Sequence, residues 1–402
     1  MVNLRFVPDD NLNGIIVGFI DLLKNELVDS INPSTIILSG SFGKGEVTAI
    51  WGENITFLSD CEIIVLPIHI HLLKKKKIDE IRRKFYAKTN ISLSISGFHF
   101  GIKLLAYRYF NLPIQPTMEL YDIKYGSKTI YGFDYLEYLP DFVRGSVPHW
   151  EGIRLILNRM AESINYVSRS ESEKEDMIYW TDKVLLACQD ALLIINDHYN
   201  ESYKKRNETF AEIFPESLPE LCQEIPDFPS LTSDATSRKL CGSSYSGNQE
   251  EYWFRVLAIC DKVLRYIILN EMGFEFKDYI DFQQKYIKYI YNNVCTDRLE
   301  LLRQNVCITV KSVLVQRNLC TNVILKPFIP WRHVAYSMIP LLYFSQTQGF
   351  SVKKEYLDHI REIALKECNL VSPAECRYFE KSNNPYDSFK KDIVVSLWEQ
   401  YC

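Results

Sequence analysis

The residues with most chemical potential in this chain lie in two short runs. Leu38-Ser-Gly-Ser-Phe-Gly-Lys-Gly-Glu46 sets Gly40, Gly43 and Gly45 around Ser41 and Lys44, and Leu58-Ser-Asp-Cys-Glu-Ile-Ile-Val-Leu66 follows some twenty positions on. Small residues at a strand end let backbone N–H groups approach anionic oxygens, and the Ser41 hydroxyl adds a donor. Asp60 and Glu62 stand two apart at the head of an apolar run, so period-two geometry turns both carboxylates to one face and Cys61 to the other. Two carboxylates on one face repel each other unless a cation lies between them. Hard oxygen ligands suit Mg²⁺ (or Mn²⁺), which binds through one or two carboxylates plus substrate phosphates. A metal beside a phosphate cradle implies transfer of a phosphoryl or nucleotidyl group.

The elements that must position these residues are legible around them. Asn11 to Leu27 has helical spacing, Thr35-Ile-Ile-Leu38 is a β-branched strand that stops at Ser39-Gly40-Ser41, and Ile63-Ile-Val-Leu66 is a second strand ending at Pro67. Val47 to Phe57 reads as an added turn or hairpin, and Leu72 to Lys88 as a helix with Ile78, Ile81 and Phe85 on one face. Strands are expected at Ile91 to Ile95, Met118 to Tyr121 and Thr129 to Tyr131, and a polar strand end at His69 and His71. After Pro148 the pattern becomes that of long helices, the clearest carrying Trp253, Val256, Leu257, Cys260, Leu264, Ile267 and Ile268. The expected fold class is α+β. A mixed-sheet α/β domain occupies residues 1–147 and a mostly helical part residues 148–402, the latter in two lobes split by a Ser-, Pro- and Gly-rich loop at 224–250.

Composition narrows the function classes. With 402 residues, 47% hydrophobic and 24% charged, the chain has ample material for a core, which excludes disorder throughout. A net charge of −5 gives no basic excess of the kind that marks obligate nucleic-acid binding. The first residues, MVNLRFVPDDNLNG, lack a basic segment followed by an apolar one, and no apolar run is long enough for a membrane span. The 11 scattered cysteines show no CxxC spacing. A reduced, cytoplasmic setting is the expectation.

Gly40-Ser41 followed by Asp60-Cys61-Glu62 resembles the signature of the polymerase-β-like nucleotidyltransferase superfamily: an apolar residue, Gly-Ser, a spacer, then Asp-x-Asp/Glu on a strand. The resemblance covers residues 35–66. Beyond them it extends loosely, through Tyr131-Gly132 and the helix of Lys183, to the domain's closing Tyr-Gly and to a helical partner domain. It implies metal-dependent transfer of a nucleoside monophosphate from an NTP to an acceptor, with release of pyrophosphate. Asp60 and Glu62 would hold Mg²⁺, and Gly40, Ser41 and Lys44 would position the triphosphate, with Lys183 reaching the γ-phosphate. The family also uses a third acid on a neighbouring strand. Here the reading favours Glu119 as the third catalytic acid, with Asp122 close behind it or no third acid as the alternatives, because the strand at Ile91 to Ile95 offers only Ser92 and Ser94.

The acceptor stays open between an RNA end, a nucleotide, a protein and a small molecule. The eight basic residues of Lys74 to Lys88 read first as the solvated side of a helix and Lys204 to Arg206 as cations at a helix end, with RNA contact through either stretch as the sharper alternative. Family branches in antiviral signalling and in toxins are both compatible with the pattern. The alternative function is a catalytically silent nucleotide sensor or interaction protein of the same fold.

Overall fold

The computed structural model describes residues 5–7, 9–50, 55–67, 69–110, 114, 116–143, 145–167, 174–294, 302, 305, 330–345 and 353–366. It is α+β, with a small mixed four-stranded sheet near the N-terminus and helices after it. The chain divides into two compact units, each made of two segments: 1–151 with 193–245, and 152–192 with 246–402.

The first unit begins with α1 (Asp10–Ile31), whose first turn is capped by the Asp9 carboxylate and whose end is turned by Asn32 in the left-handed region. Strand β1 (Thr35–Ser39) runs directly into a one-turn helix α2 (Gly40–Lys44). A hairpin of β2 (Ala49–Ile50) and β3 (Thr56–Phe57) follows, as expected, with residues 51–54 outside those described. Then come β4 (Cys61–Leu66), α3 (His69–Leu73), α4 (Lys75–Thr89), β5 (Leu93–Ser96), α5 (Phe98–Phe110), α6 (Met118–Gly126) and β6 (Lys128–Gly132).

Sheet order is β5-β4-β1-β6. Strand β1 pairs antiparallel with both β4 and β6, whereas β4 and β5 are parallel and are joined by the α3–α4 crossover that a parallel pair requires. Both faces are covered. Ile36, Leu38, Cys61, Ile63 and Val65 pack on α1 and on Ile78, Ile81 and Phe85 of α4. On the other face Ile37, Ile64 and Leu66 pack on Phe100, Leu104, Leu120 and Ile123. Burial on both faces is why β1 and β4 read as continuous apolar runs.

Three expectations are corrected here. Met118 to Tyr121 is the first turn of helix α6, because Thr117 caps the Leu120 N–H and the Glu151 carboxylate accepts from Met118 N–H. His69 and His71 lie on helix α3, with His71 Nε2 2.8 Å from the Val65 carbonyl. Most of the 224–250 stretch is helical: α9 (Tyr203–Ser217) and α10 (Pro219–Glu224) are followed by α11 (Phe228–Cys241), with Pro229 in its first turn and Gly242 as its left-handed cap. Proline and glycine there start and stop a helix, as position-specific signals, rather than marking a loop.

The chain leaves the first unit inside α7 (Trp150–Val167) and returns inside α8 (Lys174–Ile195). In the second unit the two helices approach closely, a Cβ on Gly152 lying 3.2 Å from the Ala191 backbone. They are joined by α12 (Gln249–Met272), α13 (Tyr279–Tyr289), which runs into a π turn at Ile290–Val294, α14 (Trp331–Tyr343) and α15 (Lys354–Lys366). Trp253 is fully buried and meets Tyr343 edge-on at 5.3 Å, and Tyr279 stacks on Phe344 at 4.2 Å. Among the described residues no helix is long and apolar enough to cross a membrane.

Burial, reinforced by the neighbouring Arg332 charge, holds the His333 imidazole down to about 4, and its Nδ1 lies 2.9 Å from the Tyr286 hydroxyl. Because the folded value lies below the ordinary 6.5, the unfolded chain takes up the proton first as pH falls. This contribution is whole above pH 6.5 and is lost on descent towards 4. Urea midpoints should therefore fall from pH 7 to pH 4.5 in the native protein, and fall less in His333→Asn. Parallel declines in both would show that His333 does not carry the effect.

Candidate functional site

Strand pairing brings the two sequence runs together. Ser39, the last residue of β1, is the register partner of Glu62 on β4, so the chain turns into α2 beside the acid strand. Gly40 takes φ +60° there, and a Cβ at this position would sit 2.7 Å from the Glu62 carboxyl carbon. Glycine thus serves twice: it adopts the left-handed conformation and leaves room for a carboxylate to lie against the backbone. Gly43, three residues on, is equally constrained, its absent Cβ standing 2.5 Å from the Gly126 carbonyl and 2.6 Å from that of Leu38. The Ser127 hydroxyl donates to Ser39 Oγ at 2.9 Å, and Ser41 lies half-buried in α2.

Glu62 is the one exposed residue of β4, and Asp60 is exposed just before it. Cys61 between them is fully buried on the opposite face. Burial pushes its thiol far above the ordinary range, and the negative charges of Glu62 and Asp60 push it further, so it stays protonated and takes no nucleophilic part. Ser59 is also buried, its Oγ accepting the Thr48 N–H at 2.9 Å, which fixes the backbone leading into Asp60.

The expected third acids fall elsewhere. Glu119 is exposed on the first turn of a helix, 4.0 Å from Lys103, and not on a sheet strand. Asp122 is occupied, accepting from Lys44 Nζ at 2.7 Å and from the Tyr199 hydroxyl at 3.1 Å. Of the two strands beside β4, β1 sets Ser39 opposite Glu62 and β5 sets Ser94 there. Among the described residues no group of three or more His, Cys, Asp or Glu is arranged to hold a metal ion. Two exposed carboxylates still fit a Mg²⁺ site of the kind that takes its remaining ligands from water and phosphate.

Lys44 does not project from the glycine turn. Its side chain is 7% exposed, runs along Gly126 and ends on Asp122. Two residues on, Glu46 accepts from the Ser202 hydroxyl at 2.7 Å and from the Tyr203 N–H at 3.0 Å, capping α9. Two further on, the Thr48 hydroxyl donates to the Lys239 carbonyl at the end of α11. Alternate residues thus anchor the exit of the glycine turn, Lys44 to α6 and Glu46 and Thr48 to helices from the second chain segment of the unit. Sequence reading found none of these anchors. Ser202 is recognisable as a helix cap, but its carboxylate partner stands 156 positions away.

The basic stretches are placed as follows. Helix α4 buries Ile78, Ile81 and Phe85, and its cations line the solvent side, where Lys84 pairs with Glu80 and Arg82 with Asp79. In the second cluster Lys204 and Lys205 are exposed, whereas Arg206 is 2% exposed and stacks on Tyr203 at 4.0 Å. The guanidinium is therefore a core charge and not part of an RNA-facing surface. Lys183 belongs to the second unit, with its ammonium 4.1 Å from the Trp180 ring and 4.3 Å from that of Tyr179.

No protein-family model, curated protein or solved structure matches this chain.

Replacing Lys44 by methionine removes one partner of a largely buried pair and leaves the Asp122 charge. Lys44→Met should destabilise the protein by about 3 kcal/mol in urea unfolding. Lys44→Met/Asp122→Asn should lose less than the sum of the single losses, with a coupling of about 1 kcal/mol or more. Strict additivity would mean that the pair is not an energetic unit.

Proposed function

We propose that the Gly40-Ser41 turn and the Asp60/Glu62 pair form a Mg²⁺- or Mn²⁺-dependent nucleotidyl-transfer site, moving a nucleoside monophosphate from an NTP to an acceptor oxygen with release of pyrophosphate. The observation that carries this reading is the Glu62 carboxylate lying against Gly40 across paired strands, which puts metal-binding oxygens and a phosphate-compatible turn at one place. The resemblance of Gly40-Ser41 and Asp60-Cys61-Glu62 to polymerase-β-like nucleotidyltransferases supports the same chemistry.

Asp60 and Glu62 would hold the cation. When bound, the metal supplies Lewis-acid stabilisation of the charge that builds on phosphate oxygens. The chain's own part is positioning. The Ser41 hydroxyl and the N–H groups of the turn orient phosphate oxygens, and the Lys44, Glu46 and Thr48 anchors hold the turn still while they do so. The acceptor is an RNA end, a nucleotide, a protein or a small molecule.

One observation favours a second reading, a catalytically silent nucleotide-binding protein. Both strands neighbouring β4 set a serine opposite Glu62, Ser39 and Ser94, so the sheet adds no third carboxylate at that position to assist the acceptor.

Incubation with mixed NTPs, Mg²⁺ or Mn²⁺ and candidate acceptors, followed by mass spectrometry, should reveal pyrophosphate and a nucleotidylated product. Asp60→Ala and Glu62→Ala should each lower the rate by a factor on the order of 10² or more. Unfolding temperatures should hold or rise, because removing one carboxylate relieves like-charge repulsion. Undiminished turnover in the Asp60→Ala/Glu62→Ala double variant would end the proposal. Metal-dependent NTP binding without product would select the silent reading.

A further inference from the structure

Beside the acid pair, on the edge strand β5, stand hydroxyls that the transfer reading leaves unused: Ser92, Ser94 and Ser96, all exposed. Strands β4 and β5 run parallel, with Cys61 opposite Leu93 and Glu62 opposite Ser94. Cys61 and Leu93 both belong to the core that packs on α1 and α4. The next residue along each strand therefore turns to the other face, which sets Ser94 beside Glu62 on strands about 5 Å apart. The Cys61 N–H donates to the Ser92 carbonyl at 2.8 Å, so the pairing reaches the rim where Asp60 stands.

The other serines around the acids are committed. Ser39, opposite Glu62 on the β1 side, is buried and accepts from the Ser127 hydroxyl. Ser59 is buried and accepts the Thr48 N–H. Among the described residues the Ser94 hydroxyl has no hydrogen-bond partner. Its strand is nonetheless fixed, because β4 pairs with it and Arg82 Nη2 donates to the Ile95 carbonyl at 2.9 Å.

Strand order sets these groups in a row. From β5 through β4 to β1 stand Ser94, then Glu62, then Ser39, which leads into the Gly40-Ser41 turn. Displacement at phosphorus runs in line, with the attacking and leaving oxygens on opposite sides of the α-phosphorus. When the turn holds the β,γ-phosphates, the leaving side is that of β1 and the attacking side that of β5. The uncommitted hydroxyl in register with Glu62 on the attacking side is Ser94. A hydroxyl held in productive geometry acts at an effective concentration on the order of 10⁵ M, far above that of any dissolved acceptor.

We propose that Ser94 is an acceptor, so that the protein nucleotidylates its own β5 strand. The inference rests on the transfer reading and names an acceptor that the reading leaves open. Ser94 Oγ attacks the α-phosphorus of the NTP, and the Oγ–P bond forms as the bond from that phosphorus to the α,β-bridging oxygen breaks. Pyrophosphate leaves with the electron pair, and the serine proton passes to water. The product is a phosphodiester between Ser94 and the nucleoside. It fills the space beside Glu62, so each chain reacts once.

The test is intact-protein mass spectrometry of the full-length chain after incubation with each NTP and Mg²⁺ or Mn²⁺, with and without added acceptors. Without an acceptor, the native protein should gain the mass of a single nucleoside monophosphate, release pyrophosphate in equal amount and then stop. Fragmentation should place the adduct on Ser94, and the modified fraction at a given time should not depend on protein concentration. Ser94→Ala should gain no mass, at an unchanged unfolding temperature. It should still bind the α,β-methylene analogue of the reacting NTP with native affinity in calorimetric titration, which separates loss of an acceptor from loss of the site. An adduct on another residue, equal modification of native and Ser94→Ala, or a modified fraction that rises with protein concentration would overturn the proposal. So would a native protein that stays unmodified while an added acceptor is nucleotidylated, an outcome that leaves the transfer reading in place. Absence of pyrophosphate with every acceptor would overturn both.

Discussion

The ion pair between Lys44 and Asp122 is the contact on which the geometry of the first unit depends. A lysine in a glycine-rich turn would ordinarily be a solvated loop residue. Here it is buried, and Asp122 and the Tyr203 ring compensate the desolvation of its charge. Lys44 fixes α2 to α6, and the close approach of Gly43 to the Gly126 carbonyl fixes the same two helices again one residue earlier. With Glu46 capping α9, the path of the turn is set at both ends by partners outside its own strand. A turn held in this way can present backbone donors without first having to order them.

The carboxylates owe their position to a different constraint. Strands β1 and β4 are covered on both faces, which leaves little room for a charge along their lengths. Glu62 escapes burial because it lies near the start of β4, opposite the last residue of β1, where the sheet gives way to α2. Gly40 supplies the remaining space. The acid pair is thus confined to the rim of a well-packed sheet, with Cys61 anchored in the core between the two acids.

How much of this the sequence reveals follows from the range of each interaction. The two strands, the glycine turn, the hairpin at Val47 to Phe57 and the stripes of α4 and α12 are set by period and local breakers, and each can be read within a short window. Helix α6 reads as a strand in sequence because Met118 to Tyr121 is too short for its period to separate strand from helix, and the capping by Thr117 and Glu151 decides the matter. Helix α11 resembles a loop in sequence because of its serines and Pro229, yet Phe228, Thr232, Ala235 and Thr236 are buried at helical spacing. The Lys44–Asp122 contact spans 78 positions and the Glu46–Ser202 contact 156, and no local pattern encodes either one. In the candidate site, the acids and glycines were therefore legible, whereas the anchors that hold the turn were not.

The division of each unit between two chain segments bears on the order in which this protein can acquire its structure. Residues 1–151 contain the whole four-stranded sheet, but the Tyr199 hydroxyl and the α9 backbone that complete the surroundings of Lys44 and Glu46 come only from residues 193–245. During synthesis the sheet emerges first, and the ribosome must then translate the forty-one residues from 152 to 192, which belong to the other unit, before the closing segment appears. The glycine turn consequently matures late, although it lies among the first fifty residues, and its sequence distance from its partners is the kind of non-local contact that slows folding. A nascent or truncated chain ending before residue 193 would carry the sheet and the two carboxylates with Lys44 and Glu46 incompletely satisfied.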